Sequence, residues 1–433
     1  MAAFVQLDPG LRRGTPRLQR LGLLGAWVFA ACALLSTSGA YAGLILLSLT
    51  FLFQPAAWRA LVRDPVTLAA LAFACYVLLR AGLVLSSAGS PELAGDVREA
   101  AGDWIKLLFF IPFAYWVRGD PQRIGWMLSL ALVGFVLGIF YHIDWGSFDR
   151  SFFSHRFETY LPAIAFGMFA GLGVLGLLAM RQRFWRRSGR SAKQWARVGL
   201  WALLLAVLLE GLLLSFSRGA WLAFAVAGAT LMYLEIRGQG RFRPRWAFVG
   251  VLAVGVPLLL AGLHWEKVTE RFSDEARLLE RLSAGDPQGV PASPIGLRLH
   301  AWQFAWEKWR ERPWLGWGPG ASRQLVAHSG RPERLANKGH WLPHLHNTYL
   351  EVLVQFGLWG TLLLLLLLGL LVRGLYRACR DGQLPADYCR LFPTLLIFVL
   401  IWSFFNYRVV HHDWRFFWVL VAGAAYSFQL RGL

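Results

Sequence analysis

The chain has 433 residues, of which 56% are hydrophobic and only 16% charged, with a formal net charge of +19 and a mean hydropathy of +0.45. This composition excludes a water-soluble globular domain, because the charges fall in clusters between long apolar runs instead of being spread over a surface. The basic excess does not call for nucleic acid either: about half of it lies where it would set membrane topology and meet anionic lipid headgroups.

A transmembrane helix needs about 20 apolar residues. That ruler predicts about twelve spans, near 21–37, 41–54, 66–87, 104–117, 124–141, 159–180, 198–215, 220–236, 246–263, 348–372, 391–407 and 414–430. The first run lacks a small-x-small cleavage site and reads as a retained span, not as a removed signal peptide. Basic residues gather before it (Arg12, Arg13, Arg17, Arg20), in the loop 181–197 (Arg181, Arg183, Arg186, Arg187, Arg190, Lys193, Arg197), and near 237–245 and 373–390. Placed on the cytoplasmic side, these put both termini inside, with an even number of spans between them. Loops 88–103, 142–158, 216–219, 264–347 and 408–413 then face the periplasmic side.

The expected fold class is therefore an all-α polytopic membrane protein in three parts. Residues 1–263 form a bundle of spans 1–9, 264–347 a helical periplasmic loop domain, and 348–433 spans 10–12. Cys32 and Cys75 fall in spans and Cys379 and Cys389 in a cytoplasmic loop. None is positioned for an extracytoplasmic disulfide, and none has metal-site spacing.

The loop 264–347 is too long to be a simple connector. Residues 264–282 and 297–310 alternate charged with apolar residues at helical spacing, the second stretch carrying Trp302, Phe304, Trp306 and Trp309. Such Trp-rich amphipathic helices suit the boundary between membrane and water. A turn-rich hinge separates the two stretches. After them comes Arg312-Pro313-Trp314-Leu315-Gly316-Trp317-Gly318-Pro319-Gly320, a glycine-punctuated turn able to bring backbone close to a ligand or to another helix. The loop ends at His346-Asn347, where the tenth apolar run begins. A histidine held at a membrane surface can exchange a proton near neutral pH.

Three short motifs, in order, give the chain a family likeness. They are Ser215-Phe216-Ser217-Arg218-Gly219-Ala220-Trp221, Arg298-x3-Trp302 leading into Arg312-Pro313-x2-Gly316-x-Gly318, and His346-Asn347 followed by Gly357-x2-Gly360. In this order, together with the apparent twelve spans and the long loop before the His-Asn span, the chain resembles the bacterial lipopolysaccharide O-antigen ligases. These share a superfamily with O-antigen polymerases and protein O-oligosaccharyltransferases. The resemblance implies transfer of O-antigen from undecaprenyl pyrophosphate to a sugar hydroxyl of lipid A-core, on the periplasmic face of the bacterial inner membrane. It further implies an inverting reaction without metal or nucleotide, in an architecture related to the membrane transferases of lipid-linked sugars (GT-C-like). Neither cofactor nor metal is expected, and the partners are donor, acceptor and membrane lipid.

Such a reaction needs a base for the acceptor hydroxyl and fixed cations for the departing pyrophosphate. His346 suits the base, against the alternative of a helix-capping or loop-bonding histidine, and His344 and His340 share its neighbourhood. Asn347 reads as a cap or an orienting donor. Arg218, in the short turn between two spans, and Arg298, on the loop helix, suit the pyrophosphate because a guanidinium fork matches its oxygens. The competing readings are snorkelling to lipid for Arg218 and a solvated helix face for Arg298. Arg80 inside the third span and Lys106 at the start of the fourth are functional candidates by cost of burial, unless each pairs with an acid such as Glu210 or Asp103. Tyr41 could bind ligand or belong to an aromatic belt. The Arg408-Val409-Val410-His411-His412-Asp413 turn lacks metal-ligand spacing and reads as a rim of the site, with Asp413 placed to orient His346 or bind acceptor. A polymerase or protein-glycosylating reading uses the same donor. A transporter would favour internal repeats and broken helices at mid-membrane, whereas the polar signals here crowd one face and one loop.

Overall fold

The computed structural model describes residues 16–87, 89–143, 145, 160–185, 192–239, 294–337 and 339–430. The sequence-predicted span 246–263, the amphipathic stretch 264–282 and the hinge after it lie outside the described residues. The helices are α1 (Pro16–Cys32), α2 (Thr37–Leu52), α3 (Pro55–Leu61), α4 (Pro65–Ser86), α5 (Pro91–Ile105), α6 (Phe110–Val117), α7 (Pro121–His142), α8 (Ala163–Ala179), α9 (Arg181–Trp185), α10 (Ala192–Leu214) and α11 (Arg218–Gln239). After the undescribed stretch come α12 (Pro294–Glu311), α13 (Ala321–Ala327), α14 (Pro332–Leu335), α15 (Thr348–Arg380), α16 (Ala386–Phe405) and α17 (His412–Ser427). A two-residue antiparallel ladder, β1 (Ala336–Asn337) with β2 (His340–Trp341), interrupts an otherwise all-α polytopic membrane protein.

Several helices start where the sequence supplies both a cap and a pre-set φ. Asp64, Ser90 and Asp120 each accept backbone N–H bonds with their side chains, and each is followed by a proline at the first helical turn. Among the described residues, seven stretches are long and apolar enough to span: Pro65–Ser86, Pro91–Val117, Pro121–His142, Ala192–Leu214, Arg218–Gly238, Thr348–Arg380 and Ala386–Phe405. α1, α2, α8 and α17 match four further expected spans but run only 16 or 17 residues.

The expected loop 88–103 and span at 104–117 need correction. The helical stretch begins at Pro91 and reaches Val117 through a 3-10 turn at Lys106–Phe109. The charges of 91–103 hid an amphipathic helix whose other face, Val97, Ala100, Ala101 and Trp104, is buried.

α15 is not one straight rod. Gly357 has φ 61° and ψ −163°, which breaks the helix ten residues after its cap. Into this break docks the glycine turn from the loop. Trp317 N and Gly318 N donate to Val354 O and Gln355 O, each at 2.8 Å, and Leu358 N and Trp359 N donate back to Pro313 O (2.8 Å) and Trp314 O (3.2 Å). The Tyr76 hydroxyl donates to the Phe356 carbonyl at 2.7 Å, and Arg80 Nη2 to the Gly316 carbonyl at 2.8 Å. A broken helix survives in an apolar setting only if its freed backbone groups find partners, and these bonds supply them. The approach is backbone on backbone, since a Cβ on Gly316 would lie 2.6 Å from the Gln355 carbonyl carbon and oxygen.

At the far end of the bundle, Glu235, fully buried, accepts from Arg181 and Arg390 at 2.9 Å each, tying α9, α11 and α16. Cys379 and Cys389 form a disulfide there, with Cα atoms 5.7 Å apart, a pairing not anticipated by the sequence reading.

Candidate functional site

His346 ends the loop and Asn347 begins α15. The Asn347 Oδ1 accepts from Tyr349 N (2.9 Å) and Leu350 N (3.1 Å), so Asn347 is the helix cap. His346 itself has φ +53°, a left-handed conformation that costs a non-glycine residue about 1–3 kcal/mol and tends to gather at functional sites. A second such residue is Phe216, φ +45°, two positions before Arg218. Two of the three described non-glycine residues with positive φ therefore lie in the sequence motifs; the third, Arg118, ends α6.

Around His346 the structure assembles residues from three places: its own loop, α12 and the segment before α17. His344 Nδ1 accepts the His346 backbone N–H at 3.3 Å, so the His344 proton resides on Nε2. The two rings meet edge to face at 4.4 Å, and Tyr407 lies 5.8 Å beyond His344. Burial pushes the His346 pKa down to about 4, with the Arg298 charge adding to the effect. Burial likewise lowers His344 well below the ordinary value, helped by His346, His411, Arg408 and Arg298. Both rings are neutral at pH 7; Arg298 from α12 acts on both, and Arg408 and His411 from the turn before α17 act on His344.

Trp302, one helical turn after Arg298 on the same face, packs on Phe404 at 5.1 Å and anchors α12 over this end of the bundle. The Thr348 hydroxyl donates to Asn406 O at 2.7 Å, and Gly219 backs onto Phe405 and Asn406. These contacts put the start of α11, with Arg218, at the same end as His346.

The other predicted residues fall into place unequally. Asp413 is buried and accepts from Arg408 Nε at 2.7 Å, with its second oxygen unbonded. Lys106 bonds Asp103 at 2.9 Å, the pairing weighed against a ligand role, and Asp103 also pairs with Arg415. Arg415 in turn donates to the Tyr41 hydroxyl at 3.4 Å, while the Tyr41 ring meets Phe416 edge to face. Arg80, weighed as a ligand-binding cation or as half of an ion pair, donates from Nη2 to Gly316 O and so clamps the glycine turn, while its Nε is buried without a hydrogen-bond partner among the described residues. Among the described residues no acid, Glu210 included, pairs with it. His340 lies exposed on β2. Among the described residues no group of three or more His, Cys, Asp or Glu could hold a metal ion, His411 and His412 included.

Arg415, Tyr407, Glu351 and Gln355 escaped the sequence reading, which had Arg408 only as part of the rim turn and Asp103 only as a possible acid partner. The signal was available for Arg415 and Glu351, since each is ionisable and lies within an apolar helix.

Below the polar cluster runs a groove of about 310 Å³. Thr348 and Tyr349 line its head, and Val352, Leu364, Trp414 and Trp418 its walls, down to Leu375. At 1.5 Å per residue, the part of α15 from the break at Gly357 to Leu375 spans roughly 27 Å, and almost every side chain lining the groove is apolar. A second cavity, about 490 Å³ and lined by Asp64, Arg373, Arg377 and Asp381, opens at the opposite end and contains none of the motif residues.

No curated protein matches the chain. Residues 201–365 match a family model described as O-antigen ligase. The match runs from α10 past the helix break at Gly357 and takes in Arg218, Arg298, the glycine turn, His346 and Asn347. Over residues 201–365, then, the chain is similar to the O-antigen ligase family.

Proposed function

We propose that the protein transfers O-antigen from undecaprenyl pyrophosphate to a sugar hydroxyl of lipid A-core, with His346 as the general base. The observation that carries this reading is the position of His346: a buried ring beside Arg298 and His344, two residues before Thr348, which lines the head of an apolar groove. A lipid-linked sugar needs both halves of that arrangement. The polyprenyl chain lies in the groove, and its pyrophosphate meets the cations at the head, Arg298 and Arg218 first among them.

The acceptor oxygen attacks the anomeric carbon from the face opposite the pyrophosphate. The new glycosidic C–O bond forms as the old C–O bond breaks, and the bonding pair leaves with the phosphate, so configuration inverts. His346 accepts the hydroxyl proton, which is why a neutral ring is needed. Negative charge growing on the pyrophosphate is met by guanidinium groups that cannot lose their protons. Lys106, Arg415 and Tyr41 form the adjacent wall, and Arg80 holds the turn that backs the site. The bond to be broken is already activated, so the reaction runs without metal or nucleotide, at the periplasmic face of the inner membrane.

The test uses purified protein with lipid A-core and undecaprenyl-pyrophosphate glycan, separately and together, in EDTA and without ATP, with products resolved by mass. Transfer to lipid A-core is expected, and His346→Ala should lower its rate by about two to four powers of ten while donor binding persists. Growth of the lipid-linked glycan alone identifies a polymerase instead. A folded His346→Ala variant of wild-type rate removes the base assignment. Sidedness is read separately with single cysteines at Glu333 and Arg380, 66% and 63% exposed at opposite ends. An impermeant thiol reagent should label Glu333→Cys, and not Arg380→Cys, from the periplasm.

A further inference from the structure

The strained backbone at His346 must be held by something, and the holding groups lie one turn inside α15. Glu351 is 2% exposed and Gln355 is 1% exposed. One Glu351 oxygen accepts the Leu345 backbone N–H at 2.9 Å, and the other accepts Gln355 Nε2 at 2.9 Å. Gln355 Oε1 accepts Trp104 Nε1 at 3.2 Å and Gly320 N at 3.3 Å, and its Nε2 also reaches the Tyr407 hydroxyl at 3.3 Å.

We propose that Glu351 and Gln355 are a positioning pair that fixes the loop backbone on either side of His346, linking it to α5, the glycine turn and the Tyr407 segment. This rests on the reading of His346 as the base. Neither residue needs to touch substrate. Leu345, the residue before His346, is tied to Glu351, and Asn347, the residue after it, is tied to α15 by its cap. His346 is thereby pinned at both flanks in a conformation that an untethered loop would leave.

The direction of every bond in the pair is fixed. Leu345 N–H, Trp104 Nε1–H and Gly320 N–H can only donate, so the chain of bonds must end in two acceptors at position 351. Glu351→Gln changes the shape little but replaces one acceptor with a donor that faces the donor Nε2 of Gln355. Turning the Gln355 amide over relieves that clash and creates another with Trp104 and Gly320. One buried donor is left unsatisfied whichever way the amides turn. Exchanging both residues repairs the pattern. In Glu351→Gln/Gln355→Glu, the amide oxygen at 351 accepts Leu345 N–H, its NH2 donates to the carboxylate at 355, and that carboxylate accepts Trp104, Gly320 and the Tyr407 hydroxyl.

The experiment compares wild type, E351Q and the double exchange, each purified full length and checked by gel filtration. E351Q should lower kcat for glycan transfer about ten- to a hundredfold, the scale of a misplaced catalytic group, with donor KM changed less than about twofold. The double exchange should recover kcat to within about threefold of wild type. Carbethoxylation of His346 by diethylpyrocarbonate, read by peptide mass, should be faster in E351Q and return to the wild-type rate in the double exchange. This readout does not depend on transfer, so it tests the pair even if His346→Ala proves active and the base assignment falls. If E351Q does not survive purification, the double exchange alone decides: recovery of folding and rate supports the pair. Wild-type kcat in E351Q, or a double exchange no better than the single, overturns the proposal.

Discussion

Gly357→Ala should be among the most damaging small substitutions in the protein. The native φ of 61° and ψ of −163° fall in a region open almost only to glycine, and holding another residue there costs about 1–3 kcal/mol. The added Cβ would stand 2.4 Å from Trp314 O and 2.6 Å from Gly316 N. Those atoms are backbone and cannot rotate away, so overpacking adds about 1–3 kcal/mol. The total is about 2–6 kcal/mol, and the damage should be local first, since the glycine turn and Arg80 would lose their seat before the bundle opens. The control is Gly369→Ala on the same helix, where a Cβ meets nothing within 4 Å and the cost should be near zero or slightly favourable. Thermal unfolding in detergent, followed by tryptophan fluorescence, measures both. If Gly357→Ala melts with Gly369→Ala, the glycine has no role in seating the turn and the account of the break is wrong.

The pH dependence of transfer follows from His346, whose pKa is pushed down to about 4. The neutral ring is the base, so the rate should be level from about pH 5 to 8 and fall tenfold per unit below about pH 4; a break near the ordinary value of about 6.5 would refute the burial argument. The sign for stability is the same: a folded pKa below the unfolded one gives stability that is complete above about pH 6.5 and is lost as pH falls toward 4. At the opposite end, Glu235→Gln should cost about 3–5 kcal/mol, because it leaves Arg181 and Arg390 buried beside a neutral group. A thermal shift indistinguishable from wild type would mean that the two arginines reach solvent instead.

The helical class was legible because membrane spans announce themselves by composition alone, and the Asp64-Pro65 and Asp120-Pro121 starts by capping chemistry. The helix at 91–103 was missed for the converse reason: it lies among protein, so Arg98, Glu99 and Asp103 can share a helix with a buried face, and hydropathy read them as loop. The motif words single out His346, Arg218 and Arg298 as candidates, yet could not say that Gly316 and Gly357 answer each other across 41 residues of sequence. Each glycine alone reads as a turn or a tolerated helix defect, and only the paired close approach explains both. Arg80 illustrates the same limit. The cost of burying a cation marks it as important, but a backbone carbonyl, which has no sequence identity, is as good a partner as a phosphate. Glu351 and Gln355 carry this furthest. Their i, i+4 spacing is visible in the chain, but their partners are the Leu345 and Gly320 amides and the Trp104 indole, and whether an acid in a span serves chemistry or architecture depends on what those donors face. Here the Trp104 and Gly320 donors face Gln355, and Gln355 and Leu345, the residue before His346, donate to Glu351, so the acid acts on the histidine through the backbone and not through its charge.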